Sequence, residues 1–231
     1  AEYRSAGVVL SPVLCDVLAA DCAEHLELLK ARVTDIDFKD GEWCCYDNEC
    51  LIHRSEILVM ANGVNVNAVI PGMELPIESI RGQSLMLSEQ ELSGQISRAV
   101  NAGFYLTPLI DGVHFLGATY SRTDNSYGSN EQDSARLLSS VNSLIPDMFS
   151  KDNVQGTWVG FRAASKDRSP VAGAVPDVPY YQECYSDIRH GRKDKTYPAA
   201  RYSKGLYVSA GHGSRGFTTS FLCAELIASE I

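Results

Sequence analysis

The spacing of apolar and polar positions changes several times along this chain of 231 residues. Near the C-terminus, Leu206 to Ala210 is a short apolar run that reads as a buried strand. Gly211, Gly213 and Gly216 follow it as a G-x-G-x-x-G turn. From Ser214 or Thr218 to Ile231, Phe217, Phe221, Leu222, Ala224 and Ile227 recur at helical spacing. The rest of the chain is organised around this strand–turn–helix.

Earlier segments give a mixed pattern. Gly7 to Leu10 predicts a strand. Ser11 and Pro12 predict a helix start, with Ser11 as N-cap, and the apolar stripe runs through Val13, Leu14, Val17, Leu18 and Cys22 towards Leu26. Short β-rich runs follow at Leu28-Leu29, Arg32–Phe38, Glu42–Tyr46, Cys50–His53 and Ile57–Ala61, broken by Asp40-Gly41 and Asp47-Asn48. Arg81–Leu87, Phe104–Ile110, Val113–Thr119 and Val154–Ala164 also read as strands. Asp111-Gly112 marks a hairpin between two of them. Glu131–Ile145 has the stripe of an amphipathic helix stopped by Pro146. Residues 177–204 read as a loop insertion.

Composition narrows the class. Apolar residues make up 45%, as in a globular protein, and no run is long enough for a membrane helix. The seven Cys have irregular spacing and no C-x-x-C pair, so reduced thiols are expected and zinc is not. The net charge of −9 excludes a generally basic nucleic-acid surface but not a local patch. Such a patch exists: Arg189, Arg192, Lys193, Lys195, Arg201 and Lys204 are interleaved with Tyr180, Tyr181, Tyr185, Tyr197 and Tyr202. Cations beside aromatic rings can hold phosphates and stack bases.

The glycine turn brings backbone N–H groups and a positive helix end towards an anionic or electron-rich group. It is not a dinucleotide fingerprint, because no second strand with an acidic residue follows the helix. The pattern Gly-His-Gly-Ser-Arg-Gly-Phe ahead of a final helix resembles the closing segment of FAD-dependent amine oxidoreductases of the D-amino-acid oxidase and glycine oxidase type. Gly160-Phe-Arg-Ala-Ala-Ser-Lys-Asp-Arg-Ser-Pro-Val-Ala-Gly173 resembles a second motif of that family, G-x-R-x-x-[ST]-x-D-x-x-P-x-x-G. Leu-Val-Met-Ala-Asn-Gly, Arg-Gly-Gln, Tyr-Leu-Thr-Pro and Gly-Ala-Thr-Tyr-Ser-Arg occur in family order across nearly the whole chain.

The resemblance implies the C-terminal portion of a D-amino-acid oxidase-like FAD-binding fold, α/β and α+β, with a mixed, antiparallel substrate-side sheet. It places part of the FAD-binding domain at 1–78, the substrate domain at 79–160 and the return to the FAD-binding domain at 161–231. It implies FAD contacts from Val33 on a strand, from Ala61, Asn62 and Gly63, and from Gly211, Gly213, Ser214, Arg215, Gly216, Phe217 and Thr218. Arg162 would grip a substrate carboxylate through its planar fork. Tyr105 would face the substrate, and Arg215 would act at the flavin end.

The ensemble is most similar to family members that oxidise a carboxymethylaminomethyl group on the wobble uridine of tRNA. Those implied partners are tRNA, met by Arg189, Arg192, Lys193 and Lys195, and a methyltransferase domain, in the cytoplasm and away from membranes. The chain has no initiator Met, and nothing ahead of Gly7 has room for the family's first flavin-binding βαβ unit. The expectation is therefore a later part of a larger protein, colourless and inactive alone. A free glycine or sarcosine-type oxidase and a non-catalytic tRNA-binding fragment remain the alternatives.

Overall fold

The computed structural model describes residues 7–70, 72–191 and 194–231. In chain order the elements are α1 (Ser11–Asp21), β1 (Asp35–Lys39), β2 (Glu42–Asp47), β3 (Cys50–Ser55), β4 (Leu58–Met60), α2 (Val66–Val69), β5 (Ile77–Ser88), β6 (Val100–Asn101), β7 (Tyr105–Leu106), β8 (Val113–Gly117), α3 (Glu131–Leu144), β9 (Val154–Ser165), β10 (Val171–Pro176), α4 (Val178–Tyr185), β11 (Tyr202–Ala210) and α5 (Gly216–Glu230). The chain divides into two compact units: residues 1–29 with 81–161, and residues 30–80 with 162–231.

The first unit is built on a five-stranded sheet of order β6-β7-β8-β5-β9, in which β6–β7, β7–β8 and β8–β5 pair antiparallel. The Asp111-Gly112 turn forms as expected: φ is 49° and 81° at the two residues, and Ile110 and Val113 exchange backbone hydrogen bonds. Leu85, Leu87, Leu106 and Leu116 pack against Leu137, Leu138 and Val141 of α3. Asn130 caps α3 by accepting the Asp133 N–H at 2.7 Å.

A buried polar network ties the start of α3 to β5. Arg81, fully buried, donates to Asp133 at 2.7 Å, to the Ser126 carbonyl at 2.8 Å and to the Gly128 carbonyl at 2.6 Å. Gln83 donates to the Asn130 carbonyl and Ser134 Oγ, and accepts the Asn130 N–H at 2.9 Å. The guanidinium enters the interior because a carboxylate and carbonyls meet its N–H groups.

In the second unit β1, β2 and β3 form one antiparallel sheet, and β10, β11 and β4 form another in that order. The β10–β11 pair is antiparallel and the β11–β4 pair is parallel, with Val208 opposite Met60. Ile36, Trp43, Met60, Val66, Leu206 and Val208 make its core. The Trp43 indole N–H donates to the Lys204 carbonyl at 2.8 Å. Gly205 must be glycine: its φ is +66°, and a Cβ there would run into the Glu56 carbonyl.

Several expected elements differ. Residues 7–10 pair with no strand among the described residues, so extended propensity alone does not make them one. Leu10, not Ser11, is the N-cap of α1, which stops at Asp21 short of Leu26 and buries none of its residues. Leu28-Leu29 and Arg32–Thr34 are irregular, so Val33 lies ahead of β1 rather than on a strand. Phe104–Ile110 keeps only Tyr105–Leu106 as strand, because Pro108 has no N–H for the ladder. The expected loop 177–204 contains α4, capped by Asp177 accepting the Tyr180 N–H, with Pro179 in its first turn. β11 also starts earlier than expected, at Tyr202.

Candidate functional site

Most sequence-predicted cofactor residues meet at one end of the β10-β11-β4 sheet. Because β4 and β11 run parallel, Ala61-Asn62-Gly63 and Gly211–Thr218 both leave carboxyl ends of strands. That is where open α/β sheets bind ligands. Gly63, Gly211 and Gly213 have φ of +60°, +77° and +58°, so each turn needs a residue without a Cβ. At Gly211 a Cβ would lie 2.8 Å from Ile77 Cδ1, whereas Gly63 faces open space.

The turn is held from the side. Gly213 donates its N–H to the Ala163 carbonyl at 2.6 Å, and Ala164 bridges to His212. Arg162 therefore sits one residue from the point where β9 is fastened to the glycine turn. The Gly213 N–H is used in that fastening. At Gly216 α5 begins with Arg215 as N-cap and no side-chain cap; the Thr218 and Thr219 N–H groups turn back to the Arg215 carbonyl, which leaves the N–H groups of Gly216 and Phe217 and the positive end of the dipole at the turn.

His212 locks the turn to α5. Thr219 donates its hydroxyl to the Arg215 carbonyl, which leaves its oxygen to accept from His212 Nδ1 at 2.8 Å. Nε2 then accepts from the Ser209 hydroxyl at 3.1 Å. This pairing suits the neutral ring, and burial pushes the imidazole pKa down from its ordinary value.

Ser214, Phe217 and Thr218 are exposed around the helix start. Val33 is not on either strand that frames the turn; it precedes the β1-β2-β3 sheet. Tyr105 belongs to the other unit. Its ring lies across Gly117, and its hydroxyl is 3.0 Å from Ser84 Oγ. Arg192 and Lys193 of the basic segment lie outside the described residues. Lys195 pairs with Asp187 at 2.9 Å and stacks over Tyr197, while Arg201 stacks over Tyr180.

A family described as FAD dependent oxidoreductase matches residues 1–230, and the chain belongs to it. It is 31% identical over 225 residues to the tRNA 5-methylaminomethyl-2-thiouridine biosynthesis bifunctional protein MnmC of Legionella pneumophila (strain Corby), covering 97% of this chain and 33% of that protein. It is 37% identical over 228 residues to the MnmC protein of Leptospira borgpetersenii (serovar Hardjo-bovis, strain JB197), covering 93% of this chain and 34% of the relative. The chain thus spans about a third of the curated relatives it matches.

Iminodiacetate oxidase from Chelativorans sp. BNC1 has the same fold, with TM-score 0.70 at 18% identity over 94% of this chain and 53% of that one. Glycine oxidase from Geobacillus kaustophilus gives 0.65 at 20% identity, over 85% and 46%. The expected fold class is therefore the observed one. FAD is the cofactor of the family, and the second unit fits it: glycine turns at the strand ends, open at Gly63, and a helix start without a side-chain cap suit an electron-rich ligand. Among the described residues, no helix is long and apolar enough to cross a membrane.

Proposed function

We propose that this chain is the amine-oxidising part of an enzyme that modifies the wobble uridine of tRNA. The single observation that carries the reading is the fastening of β9 to the glycine turn, Gly213 N–H to the Ala163 carbonyl, beside Arg162. It supports the reading because Arg162 adjoins the backbone that is fastened to the candidate flavin turn, within one compact unit. The names of the relatives supply the substrate class.

FAD, when bound, supplies the two-electron acceptor. Arg162 orients the substrate by gripping its carboxylate with two parallel hydrogen bonds. Ala61, Asn62 and Gly63 meet the adenosine end, and Gly211, Gly213, Ser214, Gly216, Phe217 and Thr218 the flavin end, with Val33 as a further adenosine contact. Arg215 and the α5 dipole stabilise negative charge developing there. Tyr105 presents its phenol to the substrate. Loss of a hydride from the carboxymethylene carbon turns the secondary amine into an imine. Water then cleaves the C=N bond, giving glyoxylate and an aminomethyl group on the uridine. A methyltransferase domain of the same protein or pathway completes the modification in the cytoplasm, and Arg189, Arg192, Lys193 and Lys195 meet tRNA phosphates.

A second reading, oxidation of a free amino acid such as glycine or sarcosine, is favoured by one observation. Lys195 and Arg201 are engaged with Asp187 and Asp177, which leaves the basic segment less charge for RNA. Arg162→Ala in the FAD-loaded protein decides the role of the clamp. Binding of iminodiacetate, a carboxymethyl amine, should weaken by about 2–4 kcal/mol. Unchanged binding overturns Arg162 as the clamp. Oxidation of glycine, with no response to a carboxymethylaminomethyl-uridine stem–loop, selects the second reading.

A further inference from the structure

The five-stranded sheet of the first unit has two unlike faces. One lies under α3. On the other, glycines let large side chains lie flat. Tyr105, Gly117 and Ser84 are direct neighbours across β7, β8 and β5, and the Tyr105 ring covers Gly117. Met86 lies against Gly156 of β9, which fixes the facing of that strand; Trp158, two residues on, emerges on the same side and folds over Gly160. A Cβ at any of these three glycines would collide with the side chain that lies over it.

This flattened surface keeps its rings in solvent. Trp158 is 64% exposed and Tyr105 40%. Pairing of Arg81 with Ser121 brings Tyr120 opposite Gly82, and the Arg122 guanidinium stands over the Tyr120 ring at 5.8 Å. A ring beside a cation, on the same sheet face as two further exposed rings, matches a base joined to a phosphodiester. An apolar peptide would make no use of the guanidinium, which lies in a chain of net charge −9.

We propose that this face is a nucleobase platform, with Trp158 as the stacking residue and Arg122 meeting the adjoining phosphate. The proposal rests on the RNA reading above and adds the residues that hold the base. Trp158 also reports on its own occupancy: Trp43, the other tryptophan of two, is buried with its N–H bonded to the Lys204 carbonyl.

The test uses the full chain, an anticodon stem–loop RNA with uridine at the wobble position, and the same RNA with an abasic site there. The intact RNA should quench Trp158 fluorescence, shield it from acrylamide and bind about tenfold tighter than the abasic RNA. Trp158→Leu should bind both RNAs alike. Equal binding of the two RNAs by the unsubstituted chain overturns the platform and leaves the RNA reading standing. So does a preference that survives in Trp158→Leu. Binding of neither RNA overturns both. Quenching of Trp158 by FAD alone, to the same extent, would assign this face to flavin and overturn the base platform.

Discussion

Helices α3 and α5 are of similar length, 14 and 15 residues, and end up in opposite situations. α3 is complete within its unit. Asn130 caps it, Glu131 and Asp133 place negative charge on its first turn, and its apolar stripe is buried. α5 is apolar on nearly all sides. It buries Cys223 and Ile227, leaves Phe217, Phe221, Leu222 and Leu226 exposed, and starts without a cap. A helix apolar all round belongs in an interior. The first helix is finished within its unit, and the second leaves most of its apolar surface exposed.

The largest effect should come from breaking the start of α3. Asp133→Ala removes the nearer of the two carboxylates that meet the buried Arg81 guanidinium, leaving Asp124 at 3.5 Å, and should cost about 3–5 kcal/mol in urea unfolding. A cost below 1 kcal/mol would mean that Asp124 or water takes the place of Asp133 at Arg81, and that α3 is less closed than described. Next comes a matched pair of truncations. Leu138→Ala in α3 removes a buried side chain and should cost about 2–5 kcal/mol, while Leu222→Ala in α5 should stay within about 0.5 kcal/mol. Equal costs, read from denaturation midpoints, would erase the contrast.

The smallest effect concerns the turn ahead of α5. The folded-state pKa of His212 lies below the ordinary imidazole value. Its contribution to stability is thus full above about pH 6.5 and is lost as pH falls through the lower, folded value. Thermal unfolding between pH 8 and 5 should show a small loss that is missing in His212→Gln. The opposite slope would mean that the ring is charged in the folded turn.

Elements specified by neighbours in sequence were legible. The Asp111-Gly112 hairpin, the stripe of α3 and the strand–glycine–helix of β11 and α5 each follow from a few adjacent residues. The motif around Arg162 was legible as a resemblance, but its fastening to Gly213 pairs residues 50 positions apart and has no local signature. The Arg81 network was missed for the same reason. Its one sequence trace is Arg81 and Gln83 on the strand face that also carries Leu85 and Leu87. The basic run after α4 reads as loop, although Asp177-Val-Pro ahead of it is an ordinary helix start. Val33 was misplaced because the β-rich composition of residues 32–38 does not say where pairing begins.

The parallel pairing of Leu58–Met60 with Leu206–Val208 sets an order of events during synthesis. The ribosome makes β4 and most of that unit's core long before it makes β11, with residues 81–161 of the other unit in between. At about 5–20 residues per second, the gap lasts roughly 7–30 s. Through that interval Met60, Val66 and their neighbours have no β11 to close over them. This long-range closure, rather than any step of the antiparallel hairpins, should limit how fast the nascent protein escapes aggregation and depends on chaperones.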